Sequence, residues 1–240
     1  MLRRCPTPLG RGWYNTPEAL WPSREPTPAA LTAATTVVLH LALANLRPGL
    51  SEPEAEAIVD AFGRLASLPG VLRLGAVRAR SDDSTHSLAL FVYLRDAAGL
   101  EAFGTDGRHI DFLRRSLVGA VTDLATADVA TSVLPPETYS GAACFGARLR
   151  PQTFDWQVRG LLERLNGPLV VSGGLALNDR QRFRAAGLAF WTGGGEPDAA
   201  FGEFRRRWAE AWGPILTEAA LVLGDARPLG APAPRQETVP

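Results

Sequence analysis

Residues 36–80 read TVVLHLALANLRPGLSEPEAEAIVDAFGRLASLPGVLRLGAVRAR, and three kinds of local order succeed one another within them. Residues 36–46 are an apolar run with a β-branched entry, which predicts a buried strand. Ser51-Glu52-Pro53-Glu54 has the composition of a capping box with proline in the first turn. The helix it opens sets Ile58, Val59, Phe62, Leu65 and Ala66 on one face, and Pro69-Gly70 ends it. Residues 71–80 then alternate with the period of a strand.

Outward from this β-α-β core, the polar residues 81–85 read as a hairpin loop into a strand over 86–94. A helical stretch from about Asp96 to Leu117, interrupted near Gly104–Gly107, leads to a weaker strand over 121–132. The order is β-α-β-β-α-β, the ferredoxin-like arrangement. The same order then recurs: a strand over 142–150, a helix over 155–165 stopped by Asn166-Gly167, a hairpin of 169–177 and 184–192, a helix over 198–212 and a strand over 220–228. Ala44-x-Leu46-Arg47-Pro48 returns as Ala147-x-Leu149-Arg150-Pro151. The expected fold is α+β: two fused ferredoxin-like repeats whose sheets pair as an intramolecular dimeric α/β barrel, each covering surface the other would expose. The expected divisions are an N-terminal arm over 1–35, a first repeat over 36–133 that holds the candidate site, a linker over 134–141, a degenerate second repeat over 142–228 and a disordered tail over 229–240. The arm carries Trp13, Tyr14 and Trp21, which predict that it lies against the body.

Twenty-five basic and 25 acidic residues cancel over 240 positions, so no field favours nucleic acid or a membrane surface. Every basic residue is Arg; the absence of Lys excludes a Schiff-base lysine and a Walker-type phosphate loop. Two cysteines, Cys5 and Cys144, are too few for a four-sulfur metal site and leave one disulfide open. The basic N-terminus lacks the apolar core of a signal peptide, and no apolar run reaches the ~20 residues of a membrane helix. The expected location is cytoplasmic, and the chain is expected as a monomer or a homodimer. Asp82-Asp83 with His86 makes a poor metal template, so no metal is expected. Gly193-Gly194-Gly195 lacks dinucleotide-loop spacing, and Arg205-Arg206-Arg207 reads as a solvated helix face.

The three histidines, His40, His86 and His109, all belong to the first repeat. His40 interrupts an apolar strand, where an imidazole needs a partner. His109 follows Gly104-Thr105-Asp106-Gly107 at a helix start, where the positive end of the helix dipole favours the neutral ring that can take a proton. His86 opens the hairpin strand.

Residues 36–132 resemble the stress-responsive dimeric α/β barrel (Dabb) family. The likeness rests on Val38-Leu39-His40-Leu41 running to Leu46-Arg47-Pro48-Gly49, and on Leu100-Glu101-Ala102-Phe103 followed by Gly107-Arg108-His109-Ile110-Asp111-Phe112. The resemblance implies a histidine-lined pocket. One member, an aldol cyclase of polyketides, has its strand and helix histidines at the positions of His40 and His109. A tyrosine of that pocket stands where this chain has Phe103, and a further histidine near Leu88, two residues from His86. Similar barrels, some of them fused repeats, serve aromatic-polyketide oxygenases of GC-rich bacteria. The second repeat has no histidine: at equivalent spacing Ala143 replaces His40 and about Trp212 replaces His109. Trp156, Trp191, Trp208 and Trp212 suit core packing, while Trp191 or Trp212 could instead stack on a flat substrate.

The expected function is therefore a tailoring oxygenase of aromatic polyketide (antibiotic) biosynthesis. His109 or His40 is its general base, His86 is a secondary candidate, and Phe103, Trp191 and Trp212 are substrate contacts. It is expected to need no cofactor, or to use reduced flavin supplied by a partner flavin reductase. The alternatives are an aldol cyclase or dehydratase with the same base, and a non-catalytic small-molecule-binding barrel.

Overall fold

The computed structural model describes residues 36–80, 84–165, 169–178, 181–193 and 197–230. The N-terminal arm (1–35), Asp82-Asp83, Asn166-Gly167, Gly194-Gly195 and the tail from residue 231 lie outside the described residues.

Among the described residues eight strands form one antiparallel sheet: β1 (Val37–Leu46), β2 (Val71–Ala79), β3 (Leu88–Leu94), β4 (Val121–Thr131), β5 (Gly141–Leu149), β6 (Leu169–Leu175), β7 (Ala185–Trp191) and β8 (Leu216–Leu229). Five helices join them: α1 (Glu52–Gly63), α2 (Ala97–Thr105), α3 (Gly107–Phe112), α4 (Asp155–Leu165) and α5 (Asp198–Trp212). The strand order β4-β1-β3-β2-β8-β5-β7-β6 is two four-stranded ferredoxin-like sheets laid edge to edge. The chain is thus α+β, two fused ferredoxin-like repeats. The free edges of β4 and β6 meet again where Val129 bridges Ala176 and the Leu177 N–H donates to the Asp128 carbonyl at 2.9 Å. That contact curls the sheet toward a barrel. Glycine stands at the closest approach on each seam: a Cβ on Gly224 would strike the Arg78 carbonyl beside β2, and one on Gly174 the Ala130 carbonyl of β4.

Local chemistry accounts for the elements. The Ser51 N–H donates to Glu54 at 2.7 Å, completing the capping box of α1. Asp106 caps α3 by accepting from the Arg108 N–H at 2.8 Å, and α3 runs into a π-turned segment, Leu113–Leu117. β3 has a near-continuous apolar sequence because both its faces are covered, and all seven of its residues are buried. Its Phe91 and Tyr93 face the barrel interior with Leu39, Leu41, Phe190 and Val222. Leu90 and Val92 face outward with Phe62, Phe103 and Phe112 beneath the first-repeat helices. Phe145, Phe204, Trp208 and Trp212 fill the corresponding layer of the second repeat.

β8 extends the strand expected over 220–228 at both ends. It pairs with β5 from Leu216 and with β2 as far as Leu229. Its polar-interrupted start hides the strand from an apolar pattern. Leu229, expected in the tail, is buried against Leu74. Cys144 lies fully buried, its thiol pushed up by burial, while Cys5 is outside the described residues. No helix among the described residues is long and apolar enough to cross a membrane.

Candidate active site

β1 sends Leu39, Leu41 and Leu43 into the barrel, so the pleat turns His40 the other way, toward α2 and α3. Directly opposite it in the ladder is Asp128 of β4. The Asp128 carbonyl accepts from the Leu177 N–H, two residues past the end of β6, and its own N–H points to the same side, to Gln181. Asp128 and His40 therefore form a non-hydrogen-bonded backbone pair, the kind that brings side chains closest. His40 Nδ1 meets Asp128 Oδ1 at 2.5 Å. An ionised carboxylate only accepts, so Nδ1 carries the proton and Nε2 is left as the free acceptor. Side-chain exposures of 19% for His40 and 21% for Asp128 leave the pair within reach of solvent and of a ligand.

Gln181, from the β6–β7 connection of the second repeat, adds two contacts. Its Nε2 donates to Asp128 Oδ2 at 2.8 Å, and its Oε1 accepts from the Asp128 N–H at 2.8 Å.

Phe103 of α2 stands between the two imidazoles, its ring centroid 5.9 Å from that of His40 and 4.4 Å from that of His109. It is almost wholly buried. It therefore spaces and orients the imidazoles, and has little surface left for a substrate. His109 occupies the first turn of α3, and its Nδ1 is buried without a hydrogen-bond partner. Burial lowers the His109 pKa, and the neighbouring His40 adds to the effect; hydrogen bonding to the Gly104 carbonyl and the charge of Asp106 oppose it. The ring is accordingly held neutral, with one acceptor nitrogen unspent.

His86 does not join this pair. It precedes β3 at one end of the barrel, where Nδ1 meets Thr85 Oγ1 at 2.9 Å and Nε2 lies 3.4 Å from Asp123 Oδ2 without hydrogen-bond geometry. Asp123 is opposite Asn45, five residues along the ladder from the His40–Asp128 pair and roughly 17 Å away. Arg182 ties Asp123 to Glu218 of β8. Burial lowers the His86 pKa and Arg182 adds to that, against the pull of the Asp123 carboxylate. His86 thus belongs to an ion-paired cluster between the repeats.

The tryptophans also correct an expectation. Trp212 is fully buried, stacked on Trp208 at 4.6 Å with 16° between planes, and offers no face to a ligand. Trp191 packs half-buried in the same second-repeat layer, with its indole N–H unpartnered. Among the described residues no three His, Cys, Asp or Glu side chains gather as a metal site.

Asp128 and Gln181 escaped the sequence reading. Asp128 had a signal: Ala125, Ala127 and Val129 alternate inward on β4, which puts Asp128 on the outer face of the strand that must neighbour β1. Gln181 had none, since it reaches the site from the other repeat through a loop.

No known protein-family pattern matches this sequence, and no curated protein does. Solved structures do match. An anthrone oxidase-like protein is 13% identical, with 83% of this chain and 95% of its own covered and a TM-score of 0.56. A protein provisionally named a monooxygenase, from Lactobacillus acidophilus NCFM, is 8% identical over 81% of this chain and 96% of its own, with a TM-score of 0.54. A third, provisionally named a chlorite dismutase, is 14% identical over 80% and 95%, with a TM-score of 0.52. The likeness is one of fold.

Proposed function

We propose that the chain is an oxygenase of planar phenolic substrates of the aromatic-polyketide type, with His40 as general base. The observation that carries this reading is the His40–Asp128 pair. It is oriented by a carboxylate on Nδ1, free at Nε2 and partly open to solvent, beside a neutral His109 with an unspent acceptor. His40 Nε2 removes a proton from an activated C–H flanked by phenolic rings, and Asp128 stabilises the imidazolium. The half-buried His109 ring, on the far side of Phe103, helps bound the site and fix the substrate ring's orientation. The carbanion gives its electrons to dioxygen and forms a carbon-bound peroxide, which takes back the proton. Loss of water across the C–H and O–O bonds leaves a carbonyl. One oxygen atom of dioxygen enters the product and the other leaves as water.

The substrate supplies all the electrons, so the step as written uses no bound cofactor. Reduced flavin from a reductase would serve only as a co-substrate brought from outside.

Incubation of an anthrone with wild-type protein under ¹⁸O₂, read by mass spectrometry, tests the proposal. One ¹⁸O atom per product is expected, with turnover reduced roughly 10²–10⁴-fold in His40→Ala. Wild-type turnover by His40→Ala overturns the assignment of the base. Water loss regardless of oxygen moves the reading to an aldol cyclase on the same base.

A further inference from the structure

The contact between Gln181 and Asp128 raises a question that the His40–Asp128 pair alone does not. Asp128 is on β4, an edge strand of the first repeat, and its outward N–H and C=O need partners from the second. The C=O finds one in the Leu177 N–H. Among the described residues no backbone carbonyl comes to the Asp128 N–H. The Gln181 carboxamide takes that place. Its carbonyl accepts from the Asp128 N–H and its amide N–H donates to Asp128 Oδ2, both at 2.8 Å.

A primary amide carries an acceptor and a donor on separate atoms, close enough together to serve both groups of one aspartate. Leucine offers neither, and glutamate offers no donor and sets a second carboxylate against the first. The two bonds fix the carboxylate plane from the backbone outward. With Oδ2 committed to Gln181, Oδ1 is turned to His40 Nδ1.

We propose that Gln181 is a positioning residue of the active site: the histidine-free second repeat completes the site in the first by holding Asp128, and through it the tautomer of His40. This rests on the reading of His40 as the base, but part of its test does not. Gln181 lines a cavity of about 450 Å³ with Asp155, Asn178 and Arg184, so its replacement leaves no packed void and the variant is expected to fold.

The experiment compares wild type, Gln181→Leu and His40→Ala of the full chain. Long-range ¹H–¹⁵N NMR of the three imidazoles identifies the His40 signals by their loss in His40→Ala. In wild type, His40 is expected as the Nδ1–H tautomer alone, and in Gln181→Leu as a mixture of tautomers. With the anthrone, Gln181→Leu is expected to lose kcat roughly tenfold, the low end for groups that orient an imidazole from outside the first contact, while KM stays within about twofold. An unchanged tautomer, whether or not melting temperature falls, overturns the proposal and leaves Gln181 a structural tie. If the tautomer shifts as expected while His40→Ala keeps full turnover, the positioning holds and the base assignment fails.

Discussion

Where β1 carries His40, β5 carries Ala143; where β4 carries Asp128, β8 carries Leu223. The correspondence follows from the ladders, which break register at matching places, Leu46 opposite Val121 and Leu149 opposite Leu216. Ala143 and Leu223 face each other as His40 and Asp128 do. Above the first pair sit Phe103 and a neutral imidazole with room for solvent; in the second repeat's layer Trp208 and Trp212 stack with Phe145 and no surface remains. One backbone thus builds two layers of opposite character. The first holds a partly open ion pair of imidazole and carboxylate, and the second converts the same space into packed aromatic area.

Exchange of character between the layers tests this contrast. Trp212→Ala removes the largest fully buried side chain and should cost about 3–5 kcal/mol in denaturant unfolding. A loss below about 1 kcal/mol would mean that the second layer is as loosely filled as the first. Leu223→Asp puts a carboxylate at the register position of Asp128 without its imidazole, and should cost about 3 kcal/mol. The reverse change, Asp128→Leu, should cost no more than about 1 kcal/mol at this partly open position while turnover falls with that of His40→Ala.

All the histidines are in the first repeat, so pH dependence near neutrality should originate there. Burial lowers both His86 and His109 from their ordinary value of 6.5. As pH falls below 6.5 the unfolded chain therefore takes up protons that the folded chain refuses, and stability decreases until the folded values are passed. The urea midpoint should drop between about pH 7.5 and 5.5, and a His86→Gln/His109→Gln double variant should flatten that slope. The smallest effect is expected at Trp156, which is 71% exposed: Trp156→Ser should change stability by no more than about 0.5 kcal/mol.

Much of the fold is legible in the sequence because it is written in local patterns. The capping box of α1, the alternation of β2 and the recurrence of Leu-Arg-Pro after β1 and β5 each report a nearby constraint. The need of His40 for a partner is legible too, since an imidazole in an apolar strand has few other resolutions. The identity of that partner depends on which strands lie side by side, 88 residues apart. The burial of Trp212 depends on whether its neighbours close over it. The displacement of His86 to the ion-paired cluster depends on Arg182, from the other repeat. Each is a property of assembly, and periodicity along one segment does not encode it.

The pairing of β2 with β8 also bears on how the chain is made. Ala79 lies beside Gly224, so on the ribosome β2 emerges 145 residues ahead of the strand that covers it. The first repeat must wait with that edge bare while the second is made, a template for any passing strand. Arg73 and Arg78 on β2 charge the waiting edge, and Glu52 and Glu56 of α1 can hold Arg78 in place from within the first repeat. β8 then closes both repeats at once, pairing with β2 along one edge and with β5 along the other.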